Sequence, residues 1–591
     1  MKPLHSLSYK RSYKKKVVKY VKWRFFLLYI CIGFVLIGLI IRITYLQIIN
    51  PAELVKESDM RSLRIQKVNA VRSMINDRQG RKLAVSVPVY AIWVDPKIIF
   101  ENGGLTNDTR WKALAKELKL SLAYIHYKIR FNSKNRFVYL ARQVNPSVAE
   151  YIEKLKIVGI YLRKESRRYY PFGSVIAHLI GITNIDGQGI EGIEKSFNDL
   201  LTGLPGERRI RKDRDGRVIE NISFINSKVA HDLILSIDIR IQSLMYRELT
   251  RSLQKNQAES ATGILIDINT GEILAMANSP SYNPNNLIDT PIEVMRNRAI
   301  TDLFEPGSTV KPMVILCALN KGIIKENTIL NTKNYMINGH IIKDVVNYDR
   351  LSIAGILQKS SNVGVSKLAL SMPIKELINV YSRFGLGKPT NLGLIGENSG
   401  IFPDKKIRWS ELERATFSFG YGLMVTPLQL ARVYATIGSF GIYRPLSIIK
   451  VDSSMVSKGI RIFPEEMMRT IVRMMETVSL PGGGGVRAAV KGYRIAIKTG
   501  TTKKVGNHGH YVNKYIAYAA GVAPASNPRY ALVVIVNAPT AGKYYGGAVS
   551  APVFGSIMNS VLRLMNVEPD ALNKNNELII YNQKEDEIDK S

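Results

Sequence analysis

The feature that most constrains this chain is a long apolar run near its amino terminus. Residues 25–41 are 17 consecutive uncharged, mostly apolar residues, and a second apolar run at 43–49 follows Arg42. Because a helix rises about 1.5 Å per residue, the first run spans about 26 Å, close to the ~30 Å hydrocarbon core of a bilayer. The pattern therefore predicts a transmembrane anchor at residues 25–49.

The residues that flank this run predict its orientation. The first 24 residues contain nine Lys or Arg and no acidic residue, and such positive flanks stay in the cytoplasm. No small-residue cleavage site follows the run, which argues against a removable signal peptide. We therefore expect a single-pass protein of the cell inner (cytoplasmic) membrane, with residues 1–24 as a cytoplasmic basic tail and the main body outside the cytoplasm.

Length and charge leave the class of partner open. At 591 residues the chain is too long for one compact core, so several domains are expected. The net charge of +35 fits either a partner rich in phosphate or carboxylate or a general excess of lysine on solvated faces. No zinc-finger spacing, RNP-type aromatic motif or basic heptad helix occurs, so nucleic-acid binding is not expected. The two cysteines, Cys31 and Cys317, fall in different predicted regions and are not expected to pair.

Local patterns divide the main body into two regions and a tail. Residues 50–228 mix short strand-like runs with helical patches and glycine-rich turns, and 229–568 contain predicted β-hairpins at 262–277 and 515–536 with long helical stretches between them. Two hairpins that flank a helical stretch in the sequence favour an α/β fold with a mainly antiparallel sheet. Residues 569–591 are polar and are predicted to form a C-terminal tail.

Three short motifs in the second of these regions carry candidate chemistry. In chain order they are Ser308-x-x-Lys311, Ser360-x-Asn362 and Lys498-Thr499-Gly500-Thr501. Each motif alone is weak, because Ser-x-x-Lys also occurs at Ser12, Ser252 and Ser447. The ordered trio is typical of penicillin-binding proteins and class A β-lactamases.

The first motif has the residues that serine chemistry needs. Pro306 and Gly307 allow a sharp entry into a helix, and residues three apart share a helical face, so Lys311 is expected to reach the Ser308 hydroxyl. A serine is a poor nucleophile unless a neighbour accepts its proton. A lysine does so only when burial or a second cation lowers its pKa. Lys498 is the predicted second cation, on a strand expected to end at the following glycine.

Other hydrolytic chemistries lack their motifs. No Gly-x-Ser-x-Gly elbow occurs, which removes the main support for an α/β-hydrolase. The seven histidines include no His-Glu-x-x-His pair, which argues against a metalloprotease. The glycine run at 482–485 is not followed by Gly-Lys-Ser/Thr, so it is not a phosphate loop.

Around these motifs the chain resembles the class B penicillin-binding proteins, from the anchor to about residue 572, and within them the septal group that acts in cell division. Several longer stretches carry the resemblance: residues 75–88, Arg168-Tyr169-Tyr170-Pro171, residues 177–181, 296–299, 420–422, 426–431 and 542–547. The resemblance departs at Ser73, where glycine is usual, at Thr502, where alanine is common, and at Ala538, where aspartate is usual. These departures concern the pedestal and the fit of the substrate, and they leave the acylation motifs intact.

The resemblance implies a fold and a reaction. The fold is a five-stranded, mainly antiparallel sheet flanked by helices at 229–568, preceded by an elongated, non-catalytic α+β pedestal at 50–228 of the penicillin-binding protein dimerisation type. The reaction is serine-type D-Ala-D-Ala transpeptidation or carboxypeptidation in the periplasm, with covalent inhibition by β-lactams. The implied partners are peptidoglycan stem peptides, β-lactam antibiotics, a membrane-embedded septal glycan polymerase and other division proteins. Neither a cofactor nor a metal is implied.

The resemblance also assigns roles. The implied catalytic residues are Ser308, Lys311, Ser360, Asn362 and Lys498, and the implied substrate-binding residues are Thr499, Gly500 and Thr501. Ser308 attacks the penultimate D-alanine carbonyl, Lys311 takes its proton, and Ser360 relays a proton to the leaving amine. Asn362 binds the substrate amide, and the third motif holds the terminal carboxylate.

Three alternatives stay open at this point. Water in place of an amine would give a D,D-carboxypeptidase or a β-lactamase-like hydrolase, although no obvious deacylating glutamate is visible. A scaffold with a vestigial site is disfavoured because all three motifs are complete. An elongation-specific class B transpeptidase would use the same motifs.

Overall fold

The computed structural model describes residues 22–49, 51–68, 71–105, 108–203, 206–212, 218–225, 230–506 and 509–572. Most of the predicted basic tail and most of the predicted polar C-terminal tail therefore lie outside the described residues. The chain divides into two compact units, one of residues 1–69 with 205–228 and one of residues 70–204 with 229–591. The boundaries predicted at residues 49, 228 and 568 are a different division, and they stay predictions.

Up to residue 234 the described chain alternates strands with helices of moderate length. The strands are β1 (Leu63–Val68), β2 (Ile75–Asn76), β3 (Lys82–Val94), β4 (Val138–Val144), β5 (Ile160–Tyr169), β6 (Gly206–Lys212), β7 (Val218–Ile225) and β8 (Leu233–Ile234). The helices are α1 (Lys22–Thr44, continued by a wider turn at Tyr45–Ile49), α2 (Pro51–Ser62), α3 (Pro96–Glu101), α4 (Thr109–Glu117), α5 (Leu122–Phe131), α6 (Pro146–Lys154), α7 (Ala177–Ile180), α8 (Gly192–Ser196) and α9 (Asn198–Thr202).

Beyond residue 234 longer helices lie between two sets of long strands. The strands are β9 (Ser260–Asp267), β10 (Ile273–Ser279), β11 (Ile329–Asn331), β12 (Tyr335–Ile337), β13 (His340–Ile342), β14 (Arg350–Ser352), β15 (Ile442–Tyr443), β16 (Ile460–Arg461), β17 (Ala496–Val505), β18 (Tyr511–Ala523) and β19 (Tyr530–Asn537). The helices are α10 (Ile239–Lys255), α11 (Ile292–Met295), α12 (Arg298–Thr301), α13 (Lys311–Asn320), α14 (Ile353–Gln358), α15 (Asn362–Leu370), α16 (Ile374–Arg383), α17 (Glu411–Ser418), α18 (Pro427–Gly438), α19 (Glu465–Glu476) and α20 (Gly546–Leu564). Single 3₁₀ turns lie at Gly173–Val175, Gly307–Val310, Ser453–Met455, Thr477–Ser479 and Val486–Ala488.

The first unit contains the apolar helix. Residues Lys22–Ile49 are 28 residues with a mean hydropathy of 2.7, and none of the most apolar stretch is buried inside the protein. A helix of this length and composition can cross a bilayer, as the sequence predicted. The same unit contains a three-stranded antiparallel sheet in the order β1-β6-β7.

The second unit begins with a sheet of its own. Strands run in the order β4-β3-β2-β8, with β5 also paired to β3. Trp111, Leu114, Ile125 and Ile152 from the surrounding helices are buried against it. Only the β2–β8 pair is parallel among the paired strands described in this sheet.

A five-stranded antiparallel sheet in the order β10-β9-β19-β18-β17 forms the centre of the second unit. Helices α10 and α20 pack together on one face, and α18 packs against the other. The strands β9, β10 and β19 are almost wholly buried because helices cover both faces, which explains their near-continuous apolar sequences. This arrangement confirms the predicted α/β fold and both predicted hairpins.

One predicted element differs from the structure. The strand expected to end at Gly500 continues to Val505 and pairs with β18 on both sides of that glycine. A β-carbon at position 500 would lie 2.8 Å from Tyr518 Cδ2 and 3.2 Å from Thr309 Cγ2. The glycine is therefore required by the close approach of neighbouring side chains rather than by a strand end.

Candidate active site

Ser308 lies on a tight turn that leads into α13. Gly307 has φ +55°, its N–H donates to the Gly420 carbonyl at 3.2 Å, and the Thr309 hydroxyl donates to the Pro306 carbonyl at 2.6 Å. The turn is buried except at Ser308, which is partly exposed. Because hydrogen bonds fix the backbone on both sides, the Ser308 hydroxyl is the group that this turn presents to solvent.

Ser360 is the second element of the site, and its backbone is unusual. Its φ is +55°, a left-handed conformation that most side chains avoid. The N–H groups of Ser360 and Ser361 donate to Leu357 and Ile356 at 3.2 and 2.9 Å, which is the Schellman pattern at the end of α14. Glycine usually occupies this position, so the serine is kept at a cost in backbone strain, and such strain is concentrated at functional sites.

Asp344 anchors this bend, and the sequence analysis did not identify it. Its carboxylate accepts from the Ser361 hydroxyl at 2.5 Å and from the Asn362 and Val363 N–H groups at 2.5 and 3.0 Å. An anion at the N-terminus of α15 satisfies N–H groups that have no partner inside the helix. Asp344 therefore holds Asn362 in position although it belongs to no motif.

Both motif lysines converge on Ser360. Lys311 Nζ donates to the Ser360 carbonyl at 2.5 Å, to the Ser360 hydroxyl at 3.2 Å and to Asn362 Oδ1 at 2.7 Å. Lys498 Nζ donates to the same hydroxyl at 2.9 Å and to the Thr499 carbonyl at 2.8 Å. The structure thus brings together four of the predicted catalytic residues, with the Ser360 hydroxyl between two amines.

Burial makes both amines unusual bases. Lys311 and Lys498 are fully buried, and burial disfavours an ammonium ion. Burial lowers the pKa of Lys311 well below its usual value, the Lys498 charge lowers it further, and Asp344 opposes this shift. Burial lowers the pKa of Lys498 to about 7. Lys498 can therefore exchange a proton near neutral pH, and the shift of Lys311 favours its neutral amine.

The predicted contact between Ser308 and Lys311 is not a hydrogen bond in this structure. Among the described residues the Ser308 hydroxyl makes no hydrogen bond, and the Lys311 amine has its partners in Ser360 and Asn362 instead. Catalytic hydrogen bonds are often long in ligand-free enzymes and tighten when substrate binds. The sequence analysis placed Ser308 and Lys311 on one helical face, but it did not reveal that Ser360 and Asn362 compete with Ser308 for the Lys311 amine.

The third motif lies on the edge strand β17. The Thr499 hydroxyl donates to the Gly484 carbonyl at 3.4 Å, and the Thr501 hydroxyl accepts from the Gly546 N–H at 2.9 Å. Gly500 faces the Ser308 turn, where a β-carbon would also approach the Pro306 carbonyl at 3.5 Å. β17 therefore lies directly beside the nucleophile turn and leaves its outer edge free of any other described strand.

No metal-binding cluster accompanies these groups in the described part of the chain, where no three His, Cys, Asp or Glu side chains could hold an ion together. The chemistry of the site consists of a presented hydroxyl, two amines of lowered pKa and a strand edge. These groups suit acyl transfer through a serine ester.

Comparison with known proteins identifies the family. The penicillin-binding protein transpeptidase domain matches residues 261–559, and the penicillin-binding protein dimerisation domain matches residues 67–235. The chain belongs to the class B penicillin-binding proteins. The three motifs all lie within the transpeptidase match.

Individual relatives are similar over almost the whole chain. Peptidoglycan D,D-transpeptidase FtsI of Escherichia coli (strain K12) is 66% identical over 553 residues, which cover 94% of each chain. The protein of the same name from Buchnera aphidicola subsp. Schizaphis graminum is 57% identical and covers 95% of this chain and 99% of its own. The crystal structure of a peptidoglycan synthetase from Bifidobacterium adolescentis superposes with a TM-score of 0.69 at 26% identity, over 88% of this chain and 100% of that one.

Proposed function

We propose that this chain is a membrane-anchored peptidoglycan D,D-transpeptidase that cross-links stem peptides at the division septum. The observation that supports this most is the Ser360 hydroxyl held between Lys311 and Lys498, beside the turn that presents Ser308. Family membership and the names of the relatives supply the substrate class. β-Lactams acylate the same serine in this proposal.

In the first half-reaction Ser308 attacks the carbonyl of the penultimate D-alanine. Lys311, as a neutral amine, takes the hydroxyl proton, and Ser360 passes a proton to the departing D-alanine nitrogen. The C–N bond breaks and an ester on Ser308 forms. Asn362 holds the substrate amide through its side-chain NH₂.

The third motif orients the donor peptide. The Thr499 and Thr501 hydroxyls bind its terminal carboxylate, and the close approach at Gly500 lets the peptide lie along the edge of β17. Because Lys498 is fully buried, it contributes positive potential and its hydrogen bond to Ser360 rather than a direct contact. The Ser308 and Thr501 N–H groups form the oxyanion hole, where one donor is worth about 2.7–4 kcal/mol in enzymes tested.

In the second half-reaction an amine of another stem peptide displaces Ser308 and forms the cross-link. When water attacks the Ser308 ester instead of an amine, the reaction is that of a D,D-carboxypeptidase. We propose this hydrolysis as a minor reaction of the same acyl-enzyme. The pedestal and the anchor are proposed to bind a septal glycan polymerase and other division proteins of the membrane.

The proposed activity predicts one product pattern. Purified full-length protein in detergent, given a stem peptide ending in D-alanyl-D-alanine and a second peptide bearing a free amine, should release D-alanine and form the amide-linked dimer. Mass spectrometry measures both products. Penicillin added first should abolish both, because it occupies Ser308. Release of D-alanine with no dimer at any amine concentration would identify a hydrolase instead.

The orientation of the anchor is a second proposal, supported by the basic residues that precede the apolar helix. We expect alkaline phosphatase, which folds only outside the cytoplasm, to be active when fused after residue 60 and inactive when fused before residue 20. The measurement is phosphatase activity in intact cells with matched fusion levels. Activity in the opposite pattern would mean that the main body is cytoplasmic.

A further inference from the structure

One segment between β3 and β4 carries far more positive charge than its share of the chain. Residues 109–136 contain eight Lys or Arg and one acidic residue, a net charge of +7 over 28 residues, or one per 4 residues. The whole chain carries +35 over 591 residues, or one per about 17 residues. A general excess of lysine would be spread more evenly, so this concentration indicates a surface that interacts with an anionic partner.

Most of these cations have no acid beside them. Arg110 pairs with Asp108, and Arg136 pairs with Asp95. Within the part of the chain that the structure describes, no ion pair is formed by the other six, which are Lys112, Lys116, Lys119, Lys128, Arg130 and Lys134. Lys128 is partly exposed and the other five are exposed. Their charges are therefore available to an anion from outside.

Helix α5 within this segment exposes aromatic rings on its outer face, while its inner face is buried in the core. Tyr124, Tyr127 and Phe131 follow the helical spacing of three and four residues, and they are 45, 63 and 76% exposed. We call these three residues the aromatic stripe. The rings of Tyr127 and Phe131 are stacked with their centroids 5.8 Å apart. A single exposed ring is normal, whereas a contiguous row of rings is typical of a binding surface.

Cations and rings are mixed on this face. The Lys128 ammonium lies over the Tyr124 ring, 5.5 Å from its centroid, and Lys128 falls between Tyr124 and Phe131 along the stripe. A helix that lies in a bilayer surface instead separates a charged face from an apolar face. In α5 the aliphatic face is already buried in the protein. The mixture therefore favours a polymer over a membrane surface.

The polymer that fits presents carboxylates beside flat apolar surfaces. Carboxylates form charge-assisted hydrogen bonds with Lys and Arg, and a tyrosine offers both an apolar ring and a hydroxyl. Peptidoglycan has both features, because its stem peptides carry carboxylates and its sugar rings have apolar C–H faces.

We propose that the aromatic stripe and the cations of residues 109–136 bind a peptidoglycan strand. This inference rests on the transpeptidase function proposed above, and it adds a contact with the polymer outside the three motifs. The rings of the stripe pack on sugar faces, and Lys128, Arg130 and Lys134 pair with stem-peptide carboxylates. A second contact on the same polymer raises the effective concentration of stem peptides at the active site.

The test measures binding to insoluble peptidoglycan with the active site blocked. Full-length protein is held in amphipol, which covers the apolar helix, and is acylated with penicillin so that Ser308 cannot react with stem peptides. Co-sedimentation with purified sacculi then gives the dissociation constant. We expect the double variant Tyr127→Ser with Phe131→Ser to bind about tenfold more weakly than wild type, because two ring contacts are lost.

A second variant tests the carboxylate contacts. The triple variant Lys128→Gln, Arg130→Gln and Lys134→Gln should bind intact sacculi more weakly at low salt, and its binding should depend less on salt than that of wild type. Sacculi from which an amidase has removed the stem peptides lack the carboxylates. On those sacculi the triple variant should bind like wild type.

Tyr151→Ser is the matched control. Tyr151 is an exposed aromatic residue on α6, a helix that packs in the same core, but Glu150 and Glu153 flank it in the sequence. This variant should bind sacculi like wild type. Acylation by fluorescent penicillin should be unchanged in all of these variants, because none of the replaced residues belongs to the three motifs.

The outcomes are distinguishable. Equal binding of sacculi by wild type and by the double variant overturns the proposal, and a loss confined to the triple variant shows a surface that recognises charge alone. Loss of the double variant's binding to phosphatidylglycerol vesicles, with normal binding to sacculi, assigns the stripe to a membrane and also overturns the proposal. A wild-type protein that penicillin does not acylate would refute the proposed function, whereas its binding to sacculi could still be measured.

Discussion

Replacing Ser308 with alanine is expected to abolish covalent labelling by a fluorescent penicillin. The label is an ester to the Ser308 oxygen. The other hydroxyl on this turn, that of Thr309, is buried and donates to the Pro306 carbonyl. The structure predicts that the fold survives, because the hydroxyl makes no hydrogen bond among the described residues. The free energy of unfolding should therefore change by less than about 0.5 kcal/mol. The measurement is gel fluorescence of the purified variant, with thermal unfolding on the same sample.

Two other serines with the same Ser-x-x-Lys spacing provide matched controls. Ser252 is 4% exposed within α10, and its hydroxyl accepts from the Asn256 side chain at 3.1 Å. The Ser447 hydroxyl donates to the Ile449 carbonyl at 2.6 Å. Both serines are engaged in local structure, so Ser252→Ala and Ser447→Ala should label like wild type. Persistent covalent labelling of Ser308→Ala would show that the nucleophile is elsewhere.

The sequence was sufficient to find the groups that this site shares with its family. The three motifs lie far apart in the chain, yet their order identified Ser308, Lys311, Ser360 and Lys498. The structure brings both lysines within hydrogen-bond distance of the Ser360 hydroxyl. The mainly antiparallel sheet was also predictable from its two hairpins, whereas its five strands were implied by the family resemblance.

The sequence could not place what depends on tertiary contacts. Asp344 is a single acid in a loop, and only the folded chain brings its carboxylate to the start of α15. The sequence analysis missed the extension of β17 past Gly500. A sequence alone does not distinguish a glycine that is required by a neighbouring Tyr518 ring from a glycine that ends a strand.

Lys311→Arg is expected to reduce the second-order rate of penicillin acylation about 10²–10⁴-fold, the range that positioned general bases contribute. A guanidinium has a pKa above about 12 and does not release its proton inside a protein, so the charge is kept but the base is lost. Lys321→Arg is the matched control: it lies at the end of the same helix and pairs on the surface with Glu376. That variant should acylate like wild type.

The larger size of arginine is the competing explanation for a loss of acylation rate in Lys311→Arg, because Lys311 is fully buried. Lys311→Met removes the amine without adding bulk, so it should lose at least as much rate as the arginine variant. Acylation of either variant within about tenfold of wild type would exclude Lys311 as the base. A severe loss in Lys311→Arg with a mild loss in Lys311→Met would attribute the effect to packing.

The pH profile of acylation gives the sharper test, because the two lysines influence it in opposite directions. In wild type the rate should rise as Lys311 becomes neutral and fall as Lys498, whose burial lowers its pKa to about 7, loses its charge. The Lys498 charge also helps to lower the pKa of Lys311. In Lys498→Met that help is gone, so the pKa of Lys311 rises and the rising limb of the profile moves to higher pH, while the falling limb disappears. A rising limb that stays in place in Lys498→Met would mean that the Lys498 charge does not lower the pKa of Lys311.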